Sequence, residues 1–173
     1  AYGKTVCAAM GFARARAAGK QSLFLVPLKA LATNHQRELT KLGFVAKIAT
    51  GDQITGHLGG PFDVLITTYE KFDSILFRSE TQAVLRDAVG CLAIDEVHTG
   101  GSPARGPNLE SAVIAAMAIH PALQIVALTA TVKNPEDLAA WLNAETVVVP
   151  RSERPIPQRY TYHEHGNDYH KTL

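Results

Sequence analysis

Short apolar runs, most of them without polar alternation, constrain this chain more than any other feature. Six runs read as strands: Ser22–Val26, Ala46–Ala49, Val64–Thr67, Cys91–Ile94, Gln124–Leu128 and Thr146–Val149. A run that is apolar at successive positions buries both faces, as parallel strands covered by helices do. Longer helical patterns lie between them. Lys4–Ala18 and Lys29–Leu42 are each stopped by a glycine, Gly19 and Gly43. Tyr69–Phe77 and Thr81–Ala88 are two more. Asn108–Ile119 follows Pro107 with Asn108 as its cap, and Pro135–Leu142 has Asn134 as cap and proline in the first turn. Strand and helix in alternation predict an α/β fold, with a mostly parallel sheet and helices on both faces. After Pro150 the pattern loosens into a linker, RSERPIPQ, and one further strand, RYTYHEH.

At 173 residues the chain has the length of one domain with a sizeable core. With 46% hydrophobic and 19% charged residues it is not a disordered segment. Cys7 and Cys91 each sit among apolar neighbours, which predicts two buried, reduced thiols rather than a disulfide or metal site. Ala112–Val132 carries no charge, but His120-Pro121 divides it into a buried helix and a buried strand, so no membrane span is expected. The first fifty residues hold eight Lys/Arg and one acidic residue, Glu38, although the net charge is only +1. That asymmetry permits a phosphate-facing side and is equally compatible with solvated helix faces.

Parallel sheets of this kind place their chemistry in the loops at the carboxyl ends of the strands. Gly3-Lys4-Thr5 runs into a helix as the end of a phosphate loop does: amides and the helix N-terminus hold phosphate oxygens, Lys4 reaches the terminal phosphates and Thr5 ligates Mg²⁺. As a bare tripeptide this is a weak signal. Asp95-Glu96-Val97-His98, closing an apolar strand, is a strong one. Two carboxylates at the end of a buried strand are costly unless used. Asp95 suits Mg²⁺, Glu96 suits the orientation and deprotonation of an attacking water, and His98 suits a link from nucleotide to moving parts. Thr129-Ala130-Thr131 follows the next strand, and its hydroxyls can bond those carboxylates or His98.

In this order the three segments resemble motifs of the superfamily-two DExH-box helicases. The segments VPLKALA (26–32), ATGD (49–52), TTYEKFDS (67–74), DEVHTGGSPARGPNLE (95–110), LTATVKNPEDLAAWLNAE (128–145) and RPIP (154–157) are most similar to the Ski-like branch, and within it to archaeal DNA-repair helicases that act at stalled forks. The resemblance implies a RecA-like phosphate-loop domain over 1–152, with 153–173 as linker and exit strand toward a second motor domain. It implies ATP and Mg²⁺ as cofactors. Gly3, Lys4, Thr5, Asp95, His98, Thr129 and Thr131 would bind the nucleotide, Thr5 and Asp95 the metal, and Lys4, Asp95 and Glu96 would carry catalysis. Pro27, Lys29, Ala30, Thr50, Gly51, Thr68, Glu70, Lys71 and Arg105 would track a nucleic-acid strand through its backbone. The implied activity is ATP-driven 3′–5′ translocation on single-stranded or forked DNA, with RNA as the close variant, by a monomeric, cytoplasmic, nucleoid-associated protein.

The chain is expected to begin inside its phosphate loop. Tyr2, Tyr69 and Thr129 depart from the family's usual small or polar residue, small or polar residue and serine. A nucleic-acid-binding module with a decayed ATP site is the alternative, against which Lys4, Thr5, Asp95 and Glu96 argue. A nucleotide kinase would not account for VPLKALA, TTYEK and RGPNLE. His163, His165 and His170 with Glu164 and Asp168 match no standard metal spacing, and His35, His57 and His120 read as ordinary surface or loop histidines.

Overall fold

The strands are parallel and lie side by side in the order β2-β3-β1-β4-β5. They are β1 (Gln21–Val26), β2 (Ala46–Ile48), β3 (Val64–Thr68), β4 (Val89–Ile94) and β5 (Gln124–Ala127). The computed structural model describes residues 3–49, 60–103, 106–130, 132–148, 160–164 and 167–171. It divides into two units, Gly3–Pro135 and Glu136–Leu173. The expected boundary at 152/153 lies outside the described residues.

In the first unit the central strands β1, β3 and β4 are covered on both faces, which is why they could be apolar at successive positions. Helices α1 (Lys4–Ala17) and α2 (Lys29–Lys41) pack on one side. There Ala8, Phe12 and Ala15 of α1 and Leu39 of α2 enclose Phe24, Val26, Val64, Ile66, Cys91 and Ala93. Phe12 sits at the centre, its ring 5.6 Å from Phe24 and 6.2 Å, edge-on, from Phe44. The alternate strand residues Leu23, Leu25, Leu65, Leu92 and Ile94 are equally buried and point the other way. Helices α3 (Tyr69–Leu76), α4 (Ser79–Ala88) and α5 (Gly106–Ile119) lie against one another over the sheet's other side. Gly19 and Gly43, expected to stop the first two helices, hold φ of 69° and 84°, a backbone that costs glycine nothing.

Register levels the carboxyl ends of four strands. Val26 pairs with Thr68, Leu25 with Ile94, and Ile94 with Ala127. The loops after β1, β3, β4 and β5 therefore open side by side. A 3₁₀ turn, Val97–Gly101, follows β4, and the Gly106 amide bonds the Ser102 carbonyl at 2.7 Å, so α5 starts two residues before the expected cap Asn108.

The second unit holds most of α6 (Pro135–Trp141) and an antiparallel pair, β6 (Tyr160–Glu164) and β7 (Asn167–Lys171). The expected single tail strand is thus a hairpin. Thr146–Val149 was expected to be a strand, and 146–148 are not one. A β-branched run needs a partner ladder, and among the described residues none reaches it; Val147 is 90% exposed. Cys7 is also corrected: it faces outward from α1, and only Cys91 is buried. No described helix is long and apolar enough to cross a membrane.

Candidate functional site

Asp95 extends β4 by one residue. Its amide bonds the Leu25 carbonyl at 2.9 Å, and its own carbonyl accepts from the Tyr69 hydroxyl. The side chain is buried, and a buried carboxylate needs partners. His35 Nε2 lies 2.9 Å from Oδ2, and Lys4 Nζ lies 3.9 Å from Oδ1. The chain then turns sharply. Glu96 adopts φ 51° and ψ 47°, a left-handed conformation that side chains with a Cβ rarely hold. Lys4 Nζ donates to Glu96 Oε1 at 2.5 Å. Glu96 Oε2 is buried without a hydrogen bond, with His98 Nδ1 3.3 Å away.

The loop after β5 is tied to the same place through its backbone. The Val97 amide bonds the Leu128 carbonyl at 3.0 Å, and the Leu128 amide bonds the Ile94 carbonyl at 2.8 Å. That sets Thr129 Oγ1 3.0 Å from His98 Nδ1. Of the two hydroxyl residues expected to reach His98 or the carboxylates, Thr129 does so; Thr131 lies outside the described residues. Gly3 caps α1 at φ 73°. Thr5, in the first turn of α1, donates to Glu38 Oε2 at 2.8 Å, and that oxygen is 3.8 Å from His35 Nδ1.

Lys4, Thr5, Asp95, Glu96, His98 and Thr129 are thus brought to one end of the sheet from α1, β4 and β5. Two partners were missed. His35 is not an ordinary surface histidine: its side chain is 14% exposed and its ring packs 4.7 Å from that of Phe24. Glu38 lies one turn further along α2. Their i,i+3 spacing, which sets both on one helix face, was the available signal. His57 lies outside the described residues, and His120 is half-buried at the end of α5.

The residues expected to track a strand begin where β1 and β3 end. Pro27 is buried, while Lys29 and Ala30 are exposed in the first turn of α2. Thr68 caps α3, its Oγ1 accepting from the Lys71 amide at 3.4 Å. Glu70 is exposed and Lys71 half-buried. Because Val26 and Thr68 are register partners on neighbouring strands, these two segments leave the sheet at the same level. Thr50, Gly51 and Arg105 lie outside the described residues. Tyr69, between Thr68 and Glu70, turns inward and is fully buried. Burial, reinforced by the charges of Asp95, Glu96 and Glu70, lifts its phenol above the usual range, so it remains a donor beneath Asp95.

The donor set suits a hard cation with a phosphate ligand. A hydroxyl, a nearly buried carboxylate and an unpartnered carboxylate oxygen offer oxygens of the kind Mg²⁺ takes, and one ammonium stands beside them.

Residues 1–138 match the DEAD/DEAH box helicase family. The chain belongs to that family. This helicase domain is 38% identical over 168 residues to the ATP-dependent DNA helicase Hel308 of Aeropyrum pernix, covering 94% of the chain and 22% of that protein. It is 39% identical over 165 residues to Hel308 of Pyrococcus abyssi, covering 92% and 22%, and 35% identical over 161 residues to that of Thermoplasma volcanium, covering 91% and 23%. Among solved structures, the Mycobacterium smegmatis helicase Lhr bound to ssDNA and AMP-PNP superposes with a TM-score of 0.56 at 30% identity, over 70% of this chain and 18% of that one. The parallel sheet with its covering helices is the RecA-like domain of such helicases. The chain spans less than a quarter of the length of these relatives.

Proposed function

We propose that this helicase domain binds and hydrolyses ATP, and that the full-length protein converts hydrolysis into 3′–5′ movement along single-stranded DNA and opening of forked duplexes in DNA repair. The carrying observation is the meeting of Lys4, Asp95 and Glu96 within 4 Å at the strand ends. In this arrangement Lys4 and Glu96 satisfy each other. A bound triphosphate offers the ammonium a stronger partner, since charge-assisted bonds to phosphate are among the strongest available. Lys4 then holds the terminal phosphates, and Glu96 is released to take the proton of the attacking water. Thr5 and Asp95 would hold Mg²⁺, which when bound neutralises charge on the transferring phosphoryl group. The His98–Thr129 bond joins the loop after β4 to that after β5 and suits the transmission of nucleotide state.

Lys29 and Ala30 with Thr68, Glu70 and Lys71 support strand contacts made to phosphate and sugar, which ignore base identity. The same contacts suit RNA, the second reading; the Hel308 relatives favour DNA. A second RecA-like domain in cis would supply the arginines that complete the ATP site. The test is ATP turnover of the full-length protein with and without single-stranded DNA or RNA, for wild type and Glu96→Gln. Turnover should rise with DNA, and the variant should bind ATP without hydrolysing it. Turnover indifferent to any nucleic acid, or loss of ATP binding by Glu96→Gln, would contradict the reading.

A further inference from the structure

An ionised carboxylate accepts hydrogen bonds and donates none, so the 2.9 Å contact between His35 and Asp95 places the proton on His35 Nε2. The histidine itself is held firmly. Its ring packs 4.7 Å from Phe24, a fully buried residue at the middle of β1, and α2 fixes its backbone. Asp95 is fixed only in part without it. The Leu25 carbonyl and Tyr69 hydroxyl anchor its backbone, but a carboxylate's terminal torsion is broad and two-fold. A single stiff donor on Oδ2 removes that freedom and turns Oδ1 toward Lys4, the side on which the nucleotide would lie. Glu38, one turn along the same helix, receives the hydroxyl of Thr5.

We propose that His35 is a positioning residue: its Nε2–H orients Asp95 so that Oδ1 faces the metal–nucleotide complex. The proposal rests on the reading of Asp95 as a metal-holding residue and adds to it a part played by α2, outside the recognised segments of the site. Partners of this kind, one bond removed from a metal, typically account for about 10–100-fold in metal affinity or activity.

The experiment uses the full-length protein and the Mg²⁺ concentration at half-maximal binding of a nonhydrolysable ATP analogue, with kcat measured at saturating Mg²⁺. His35→Phe keeps the packing on Phe24 and removes the donor. His35→Gln keeps an N–H near the Nε2 position. The Phe variant should need on the order of 10-fold more Mg²⁺, with metal-free nucleotide binding unchanged, and the Gln variant should recover most of the loss. A Phe variant with wild-type Mg²⁺ dependence overturns the proposal, as does a Gln variant impaired as badly as Phe. If the Phe variant does not fold, His35→Asn replaces it, because its shorter amide cannot reach Oδ2; Asn shifted and Gln unshifted supports the role, and both alike overturns it. Asp95→Ala, run alongside, separates the two readings. If Asp95→Ala leaves Mg²⁺ dependence unchanged, the metal site itself is misassigned; if it shifts and the His35 variants do not, only the positioning role fails.

Discussion

Glu96 stands at φ 51° and ψ 47°, and such a left-handed backbone costs a residue with a Cβ roughly 1–2 kcal/mol. Comparing Glu96→Gly with Glu96→Ala isolates that cost. Both variants lose the carboxylate and its pairing with Lys4, so those losses cancel. Glycine alone relieves the strain. Against the relief stands glycine's greater freedom in the unfolded chain, about 0.4–1 kcal/mol. The difference leaves the Gly variant more stable by about 0.5–1 kcal/mol, the reverse of the usual order. At roughly 2–4 °C per kcal/mol for a domain of this size, Tm should differ by about 1–4 °C. Thermal and urea unfolding followed by circular dichroism, with equal m values, would measure it. Neither variant should hydrolyse ATP, since neither carries the proposed base. If the Ala variant unfolds at the same temperature as the Gly variant or higher, the left-handed turn is not what holds this position, and the strain argument is wrong.

Lys4→Ala in the full-length protein should cut ATP turnover by orders of magnitude in a steady-state assay, because phosphoryl transfer depends on positioned charge; near-wild-type turnover would remove Lys4 from the site. Tyr69→Phe strips the Asp95 carbonyl of a buried donor and should lower stability by about 1–3 kcal/mol, read from the urea midpoint. An unchanged midpoint would mean that bond contributes nothing. Burial pushes the Cys91 thiol up to about 12, and the thiolate is the reactive form, so iodoacetamide at pH 8 should label exposed Cys7 and spare Cys91 until the chain unfolds. Peptide mass mapping checks this, and early labelling of Cys91 would contradict its burial.

The sheet was legible because parallel strands buried on both faces leave continuous apolar runs; CLAI and VLIT could be little else. The carboxylates after Ile94 were legible because two acids at the mouth of a buried strand are costly unless used, though a solvated strand-end turn would also read that way. The run at Thr146–Val149 misled, because a β-branched stretch records propensity and says nothing about whether a partner is within reach. His35 stayed hidden for a related reason. Its proposed role depends on a contact with Asp95, sixty residues away; the i,i+3 pairing with Glu38 marks a helix face but does not say what that face meets. Tyr69 looked like a departure in a strand-binding segment. Its inward turn follows from Thr68 capping α3, which fixes the direction in which the helix leaves the sheet.

The two margins of the sheet are not alike. β2 is three residues long and carries exposed Lys47 at its centre; β5 offers Gln124-Ile125-Val126-Ala127, uncharged, and among the described residues no strand lies beyond it. A short, charged margin discourages a neighbouring molecule from stacking alongside, whereas an uncharged one does not. Of the two margins, β5 is the one where association between molecules would start as concentration rises, and a charged residue in place of half-buried Gln124 is the first measure for keeping the domain in solution.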